Sequence, residues 1–299
     1  MLAHTSPAEH VGVVVLGLTA IALYGWGWVR RPGAPGRTLG AWMTGVAVAM
    51  VATMPLVESW ADESFTGHMA QHLVLIVLVA PCLVVAQPVR TFRHLPFGPD
   101  RASPVDRPVA RWWRRFGAIA APLAFLSVLY LTHLTSVYEW ALDHRLVHHA
   151  EHLAYLAGAV ALWAAVLAPG RRTGVARVGT ALAVIAGTAL LGAILTTAGE
   201  PLVPTYVEQL GVAGALDDQR RAASVMWAGG MALTLPLLLT SVWVWASAEE
   251  RVARRSEAIL DARAATHAQR GGSVPVAGTA PTRDATWDTG TPRRPARRP

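Results

Sequence analysis

The sequence predicts an all-α integral membrane protein, a bundle of seven transmembrane helices with its N-terminus outside and its C-terminus in the cytoplasm. Of its 299 residues, 53% are hydrophobic and only 15% are charged, which is too apolar for an ordinary soluble domain. The apolar residues come in blocks, and the length of each block is close to the about 20 residues that a helix needs to cross a bilayer. Arginines are concentrated in alternate connections and in the C-terminal tail, and the positive-inside rule places these on the cytoplasmic side.

Seven spans are predicted, and each is bounded by charged residues, prolines or glycines. In chain order they cover residues 11–29, 39–57, 68–87, 117–136, 147–167, 175–197 and 222–245. The connections 58–67, 89–116, 137–146 and 200–221 are predicted as loops. The arginine-rich one, 89–116, contains Trp112 and Trp113, which suit a membrane interface.

Two domains are predicted. Residues 1–248 form the transmembrane domain, and 249–299 form an Arg/Pro-rich cytoplasmic tail that is a short helical extension followed by a largely disordered segment. Residues 1–9 carry no arginine or lysine, so the first apolar run is predicted to be a retained helix. The arginines of the tail are predicted to hold the anionic inner leaflet of the lipid bilayer, and no nucleic-acid partner is predicted from the net charge of +7.

Two pairs of histidines stand at the beginnings of apolar runs. His68 and His72 precede one run, and His148 and His152, with Glu151 between them, precede another. Residues four apart on a helix lie on the same face about one turn apart, so each pair can meet a single ion. Metal-binding side chains at the edge of a membrane helix are costly to place there and indicate function.

The predicted topology places most histidines at one surface, the outer one. Imidazole suits copper, zinc, iron and nickel, whereas a thioether selects for Cu(I), and Met54, Met69 and Met226 lie at the same depth. The spacing therefore predicts converging imidazoles without deciding which metal they bind. The outer histidines are His4, His10, His68, His72, His133, His144, His148, His149 and His152.

Several neighbouring residues have two interpretations. Met226 is either a packing residue or a ligand. Glu151 either binds the ion directly or orients a ligating histidine, or it is an ordinary acid near a helix start. Asp218 is either a solvated loop acid or part of a path by which an ion reaches the site. Cys82 lies ten residues beyond His72, about 15 Å deeper at the helical rise, and is predicted to act as a small apolar residue.

The sequence lacks the motifs of several enzyme classes. It contains no P-loop, no GxSxG and no HExxH. We therefore predict a protein that is not an enzyme.

The chain resembles the CtaG-type cytochrome c oxidase assembly factors, membrane proteins associated with the caa-type oxidases of bacteria. The resemblance rests on consecutive blocks in the expected order, covering about residues 41–239. They include residues 68–73 (HMAQHL), 79–81 (VAP), 87–88 (QP), 132–134 (THL) with Tyr138, 148–153 (HHAEHL), 191–195 (LGAIL) with 201–202 (PL) and Tyr206, 218–219 (DQ) and 226–230 (MWAGG). Cys82, where a proline is expected, and the additional His149 depart from the pattern.

The resemblance implies a role in the maturation of haem–copper oxidase at the plasma membrane of a bacterium. It implies that copper, as Cu(I), is received from a copper donor at the outer face and delivered to the copper centre of the oxidase catalytic subunit. It also implies which residues handle the ion. These are His68, His72, His133, His148 and His152, with Glu151, Asp218 and Met226 beside them.

Three alternatives stay open from the sequence. Paired histidines on facing helices also form the site of a haem-binding membrane redox protein. Histidines can also gate a proton-linked transporter, and the protein can have a purely structural role in oxidase assembly. Since only neutral imidazole binds metal, histidine ligation predicts an affinity that falls as the pH drops through about 6.5.

Overall fold

The computed structural model describes residues 7–98, 106–167 and 174–271, and these are helical with short connections. His4, the connection between the predicted spans 147–167 and 175–197, and the part of the predicted tail from residue 272 onward lie outside the described residues. By its internal contacts the chain divides into units 1–248 and 249–299. The helices are α1 (Pro7–Arg30), α2 (Gly36–Ala52), α3 (Pro55–Glu63), α4 (Phe65–Val74), α5 (Ala80–Ala86), α6 (Pro88–Phe92), α7 (Asp106–Leu134), α8 (Val137–Asp143), α9 (Arg145–Leu167), α10 (Gly174–Thr197) and α11 (Pro204–Gly271).

The described residues contain six helical segments long and apolar enough to cross a membrane. The bent pair of α2 and α3 adds a seventh if it is counted as one span. The chain is therefore a multi-pass membrane protein, and the part of it that the structure describes is all-helical. The count of seven and the orientation of the termini stay predictions.

The second predicted span, 39–57, is wrong as a single helix. Helix α2 ends at Ala52, and α3 starts at Pro55 after a bend of 52°. Proline disfavours helical backbone at the residue before it, and Met54 is accordingly extended, with φ −72° and ψ 150°. Helix α3 therefore approaches α4 as a separate short element.

The third predicted span is interrupted by a wide helical turn. A π-helical turn, Leu75–Val79, joins α4 to α5, directly before Pro81. Proline has no N–H for the regular helical ladder, and single π-turns occur within α-helices where that ladder is interrupted. Helix α5 ends at Ala86, and its C-cap Gln87 has a left-handed φ of 55°. The apolar helical segment continues through α6 to Phe92.

All four predicted loops contain helical residues. Within 58–67, α3 runs to Glu63 and α4 begins at Phe65. Helix α7 begins at Asp106, within the predicted loop 89–116, and α8 occupies most of 137–146. Helix α11 begins at Pro204 rather than near 222, and its one break in helical backbone is at Gly211, with φ 72°. The polarity of these stretches predicts loops, but amphipathic surface helices are also polar on their exposed face.

The main core lies between α4, α7, α9, α10 and α11. Phe65, Leu129, Tyr155 and Leu191 are buried in it. A second cluster forms around Tyr24 of α1, which stacks on Trp42 at 4.6 Å between ring centroids. The Tyr24 hydroxyl donates to the carbonyl oxygen of Ala86 at 2.6 Å, so it joins α1 to the end of α5.

A buried histidine cluster as candidate metal site

The first N–H groups of α4 are capped by side chains. Ser64 is its N-cap, and its hydroxyl accepts from the Gly67 N–H at 3.0 Å. A Cβ atom at Gly67 would lie only 2.4 Å from the carbonyl oxygen of Trp60, so glycine lets α3 and α4 meet closely. This corner places His68 one turn into a helix whose first N–H groups are already satisfied.

Helix α4 contributes two fully buried imidazoles. His68 and His72 have relative exposures of 0% and 3%. Their ring centroids lie 4.3 Å apart, as expected for positions one turn apart on one face. Between them, Gln71 donates to the carbonyl oxygen of Ala52 at 2.8 Å and thereby ties α4 to the end of α2.

Helix α9 contributes the facing imidazoles. His152 lies 4.8 Å from His72 and 6.0 Å from His68 between ring centroids. His148, one turn earlier, is half-buried and lies 4.3 Å from His152 and 5.6 Å from His68. The two predicted i,i+4 pairs thus face each other across the interface between α4 and α9.

Three imidazoles of this cluster have the spacing of a metal site. One nitrogen from each of His68, His72 and His152 lies within 4.8 Å of the others. Both nitrogen atoms of His68 and of His72, and Nε2 of His152, are buried and have no hydrogen-bond partner within the described ranges. Buried polar groups without partners are costly and rare, so several converging at one point indicate a site for an ion.

Glu151 adds a carboxylate to the same cluster. It is 4% exposed, and one of its oxygens lies 3.8 Å from Nε2 of His68. Neither carboxylate oxygen has a hydrogen-bond partner among the residues described. A carboxyl group that loses its proton as a cation binds attracts and neutralises that cation, so Glu151 favours a metal ion at this site.

Two tyrosines form walls of the cluster. Tyr155 packs edge-on against His72 at 4.3 Å, and Tyr138 of α8 packs edge-on against His68 at 4.8 Å between ring centroids. Burial, together with the neighbouring Tyr206 phenol, raises the pKa of Tyr138 well above its ordinary value. Tyr138 is therefore a neutral wall residue rather than an anionic ligand.

His133 is not one of the three converging imidazoles. Its Nε2 lies 3.0 Å from the sulfur of Met69, and its Nδ1 lies 2.8 Å from the carbonyl oxygen of Leu129. Tyr155 lies between His133 and the three converging imidazoles, since its hydroxyl is 3.3 Å from Nδ1 of His133 and its ring contacts His72.

The structure does not bring the other predicted residues into the cluster. The carboxylate of Asp218 caps α4 by accepting from the N–H groups of Phe65 at 2.6 Å and of Thr66 at 3.3 Å, and from the Thr66 hydroxyl at 2.6 Å. Met226 is buried in the main core against Gly192. Cys82 lies against Gly45 of α2, and Met54 is exposed.

Replacing Asp218 by alanine is expected to lower the thermal stability of the protein in detergent, by about 1–2 kcal/mol in the free energy of unfolding. Removal of a helix N-cap acceptor costs about 0.5–2 kcal/mol, and Asp218 caps α4 with both oxygens. The matched control is Asp217→Ala, whose exposed ion pair with Arg221 is worth less than about 1 kcal/mol. Equal thermal midpoints for the two variants would contradict this role.

Two residues at the site were missed in the sequence. Tyr155 lies three positions after His152 and therefore on the same helix face, which was a usable signal. Gln71 lies between the paired histidines, at the start of the apolar run, and polar groups in a membrane helix indicate function or a specific partner.

The chain is therefore a multi-pass membrane protein whose helices enclose a cluster of imidazoles suited to a metal ion. It belongs to the cytochrome c oxidase caa3 assembly factor family, which matches residues 22–248.

Relatives are found in mycobacteria. An uncharacterized protein of Mycobacterium leprae is 26% identical over 271 residues, which is 83% of this chain and 40% of that protein. Uncharacterized proteins of Mycobacterium bovis and Mycobacterium tuberculosis are each 24% identical over 254 residues, 79% of this chain and 38% of theirs. The chain thus spans about two fifths of the length of these relatives. Comparison with solved structures finds no significant match.

Proposed function

We propose that this protein is an assembly factor that binds Cu(I) through His68, His72 and His152 and delivers it to the copper centre of the cytochrome c oxidase catalytic subunit. The protein acts without catalytic turnover, in the plasma membrane of a bacterium. The N-terminus lies outside and seven spans cross the bilayer, so the imidazoles lie near the outer face, where a copper donor supplies the ion.

The observation that carries the proposal is the convergence of the three imidazoles. Their ligand nitrogens lie within 4.8 Å of one another, and most of the nitrogens have no hydrogen-bond partner in the described chain. Neutral imidazole is a good ligand for copper. Three nitrogens in a buried site suit a low-charge ion that needs few ligands, and we choose copper because the recipient that we propose is the copper centre of the oxidase.

The half-buried His148 supports delivery rather than permanent storage. It lies 4.3 Å from His152 and one helical turn closer to the start of α9. An ion can therefore exchange one imidazole for another on its way out of the cluster, without losing all of its ligands at once. Such ligand exchange is the step that a docked oxidase subunit completes.

The close packing of the rings argues against the haem alternative. His72 lies 4.3 Å from His68 and 4.8 Å from His152 between ring centroids. Tyr155 and Tyr138 pack on the same rings at 4.3 and 4.8 Å. A porphyrin between two axial imidazoles needs the space that these rings fill.

Metal content and the absorption spectrum of the detergent-purified protein test this proposal. After exposure to Cu(I) under reducing conditions and removal of weakly held ions, we expect retained copper and no Soret band. A Soret band in the purified protein would favour the haem-binding redox protein. A protein that retains no copper would leave the structural role or the transporter.

A further inference from the structure

We propose that His133 and Met69 form a second Cu(I) site, beside the three-imidazole cluster, with one nitrogen and one thioether sulfur as ligands. The choice of metal rests on the proposed function. The geometry stands separately, because Nε2 of His133 lies 3.0 Å from the sulfur of Met69. Both side chains are buried, with relative exposures of 8% and 4%.

The hydrogen bonding of His133 determines which nitrogen is free to bind. Nδ1 lies 2.8 Å from the carbonyl oxygen of Leu129, and a carbonyl oxygen only accepts. The hydroxyls of Thr132 and Tyr155 lie farther from Nδ1, at 3.1 and 3.3 Å, and each can accept as well as donate. The shorter contact with the carbonyl oxygen therefore assigns the proton to Nδ1, and in a neutral imidazole Nε2 is then an acceptor. A lone pair on nitrogen thus faces a lone pair on sulfur, which is an unfavourable contact unless something positive lies between them.

A protonated imidazole would also resolve this contact, by donating from Nε2 to the sulfur. That arrangement buries a full positive charge, which is costly without a paired anion. No carboxylate among the described residues lies within ion-pair distance of His133. A metal cation shared by both ligands satisfies the two lone pairs directly.

The ligand types favour Cu(I). A thioether is a soft ligand and selects Cu(I) over the divalent ions that imidazole alone accepts. Bonds of about 2.0 Å to nitrogen and about 2.3 Å to sulfur connect ligand atoms that are 3.0 Å apart at a strongly bent angle, or about 4.3 Å apart at a linear one. The unbranched methionine side chain can change rotamer, so Met69 can open the pair toward the linear arrangement.

The place of this pair indicates its role. Met69 follows His68 directly in α4, and Tyr155 contacts both the His72 ring and Nδ1 of His133. The pair of His133 and Met69 and the three-imidazole cluster are thus two neighbouring binding sites for Cu(I). With two sites, the protein can accept a second Cu(I) before it releases the first.

X-ray absorption at the copper edge of selenomethionine-substituted protein tests the second site. The protein is loaded with two equivalents of Cu(I) under reducing conditions, and the wild type is compared with Met69→Leu. Leucine conserves most of the side-chain volume and removes the ligand. The control is Met50→Leu, whose sulfur lies half-buried against Gly17 of α1.

We expect about two Cu(I) per chain and a selenium neighbour of copper in the wild type and in Met50→Leu. In Met69→Leu, the selenium neighbour is lost and about one Cu(I) with nitrogen neighbours remains. Copper with nitrogen neighbours alone in the wild type would overturn the second site and leave the imidazole site standing. A selenium neighbour that persists in Met69→Leu would also overturn it, and a protein that binds no copper would overturn both sites.

Discussion

Replacing His72 by alanine is expected to lower the affinity of the purified protein for Cu(I) about 100-fold or more. Structural metal sites with four ligands gain about 10–16 kcal/mol, so the loss of one of three ligands removes several kcal/mol, and each 1.4 kcal/mol is a factor of ten. His72 is central to the cluster because it lies 4.3 Å from His68 and 4.8 Å from His152 between ring centroids. The measurement is competition with a Cu(I) chelator of known affinity.

The matched control for this prediction is His149→Ala. His149 is exposed on α9, next to His148, and is not one of the three converging imidazoles. We expect its affinity to equal that of the wild type. His68→Ala and His152→Ala are expected to behave like His72→Ala, and equal affinities for His72→Ala and His149→Ala would show that copper binds elsewhere.

The imidazole cluster could be predicted from the sequence because its signal is local. His68 and His72, like His148 and His152, are four residues apart, and that spacing places both members of a pair on one helix face. Glu151 could be predicted together with His148 and His152 because it lies between them on the same helix. The long spans 147–167 and 175–197 were also predictable, since α9 is Arg145–Leu167 and α10 is Gly174–Thr197.

Other parts of the site depend on contacts between distant residues. Asp218 is near the histidines in the fold, but its oxygens are used by the N–H groups of Phe65 and Thr66, more than 150 positions away in the sequence. The pairing of His133 with Met69 also joins two helices, and spacing along one helix carries no information about it. Pro55 was a local signal for the bend between α2 and α3, but the continuous apolar run around it favoured a single helix.

Cells whose only copy of this protein is the His72→Ala variant are expected to lose most of their cytochrome c oxidase activity. If copper is limiting, a 100-fold weaker site is occupied in about one chain in a hundred at the concentration that half-fills the wild type. The family assignment makes the oxidase the expected recipient. We expect activity below about one tenth of that of the wild type, and His149→Ala cells should match the wild type.

Loss of activity alone would also follow if the variant failed to support the assembly of the oxidase as a scaffold. The two roles differ in what they do to the oxidase. A scaffold that fails leaves less oxidase in the membrane, whereas a copper-delivery protein that fails leaves oxidase that lacks copper. The level of the oxidase subunits therefore has to be measured together with their metal.

The most direct test of copper delivery is the copper content per catalytic subunit of oxidase purified from wild-type, His72→Ala and His149→Ala cells. The haem content of the same samples reports whether the subunit is otherwise assembled. We predict full copper and full haem in the wild type and in His149→Ala, and haem with strongly reduced copper in His72→Ala. A catalytic subunit from His72→Ala cells that carries its full copper would contradict delivery through the imidazole cluster.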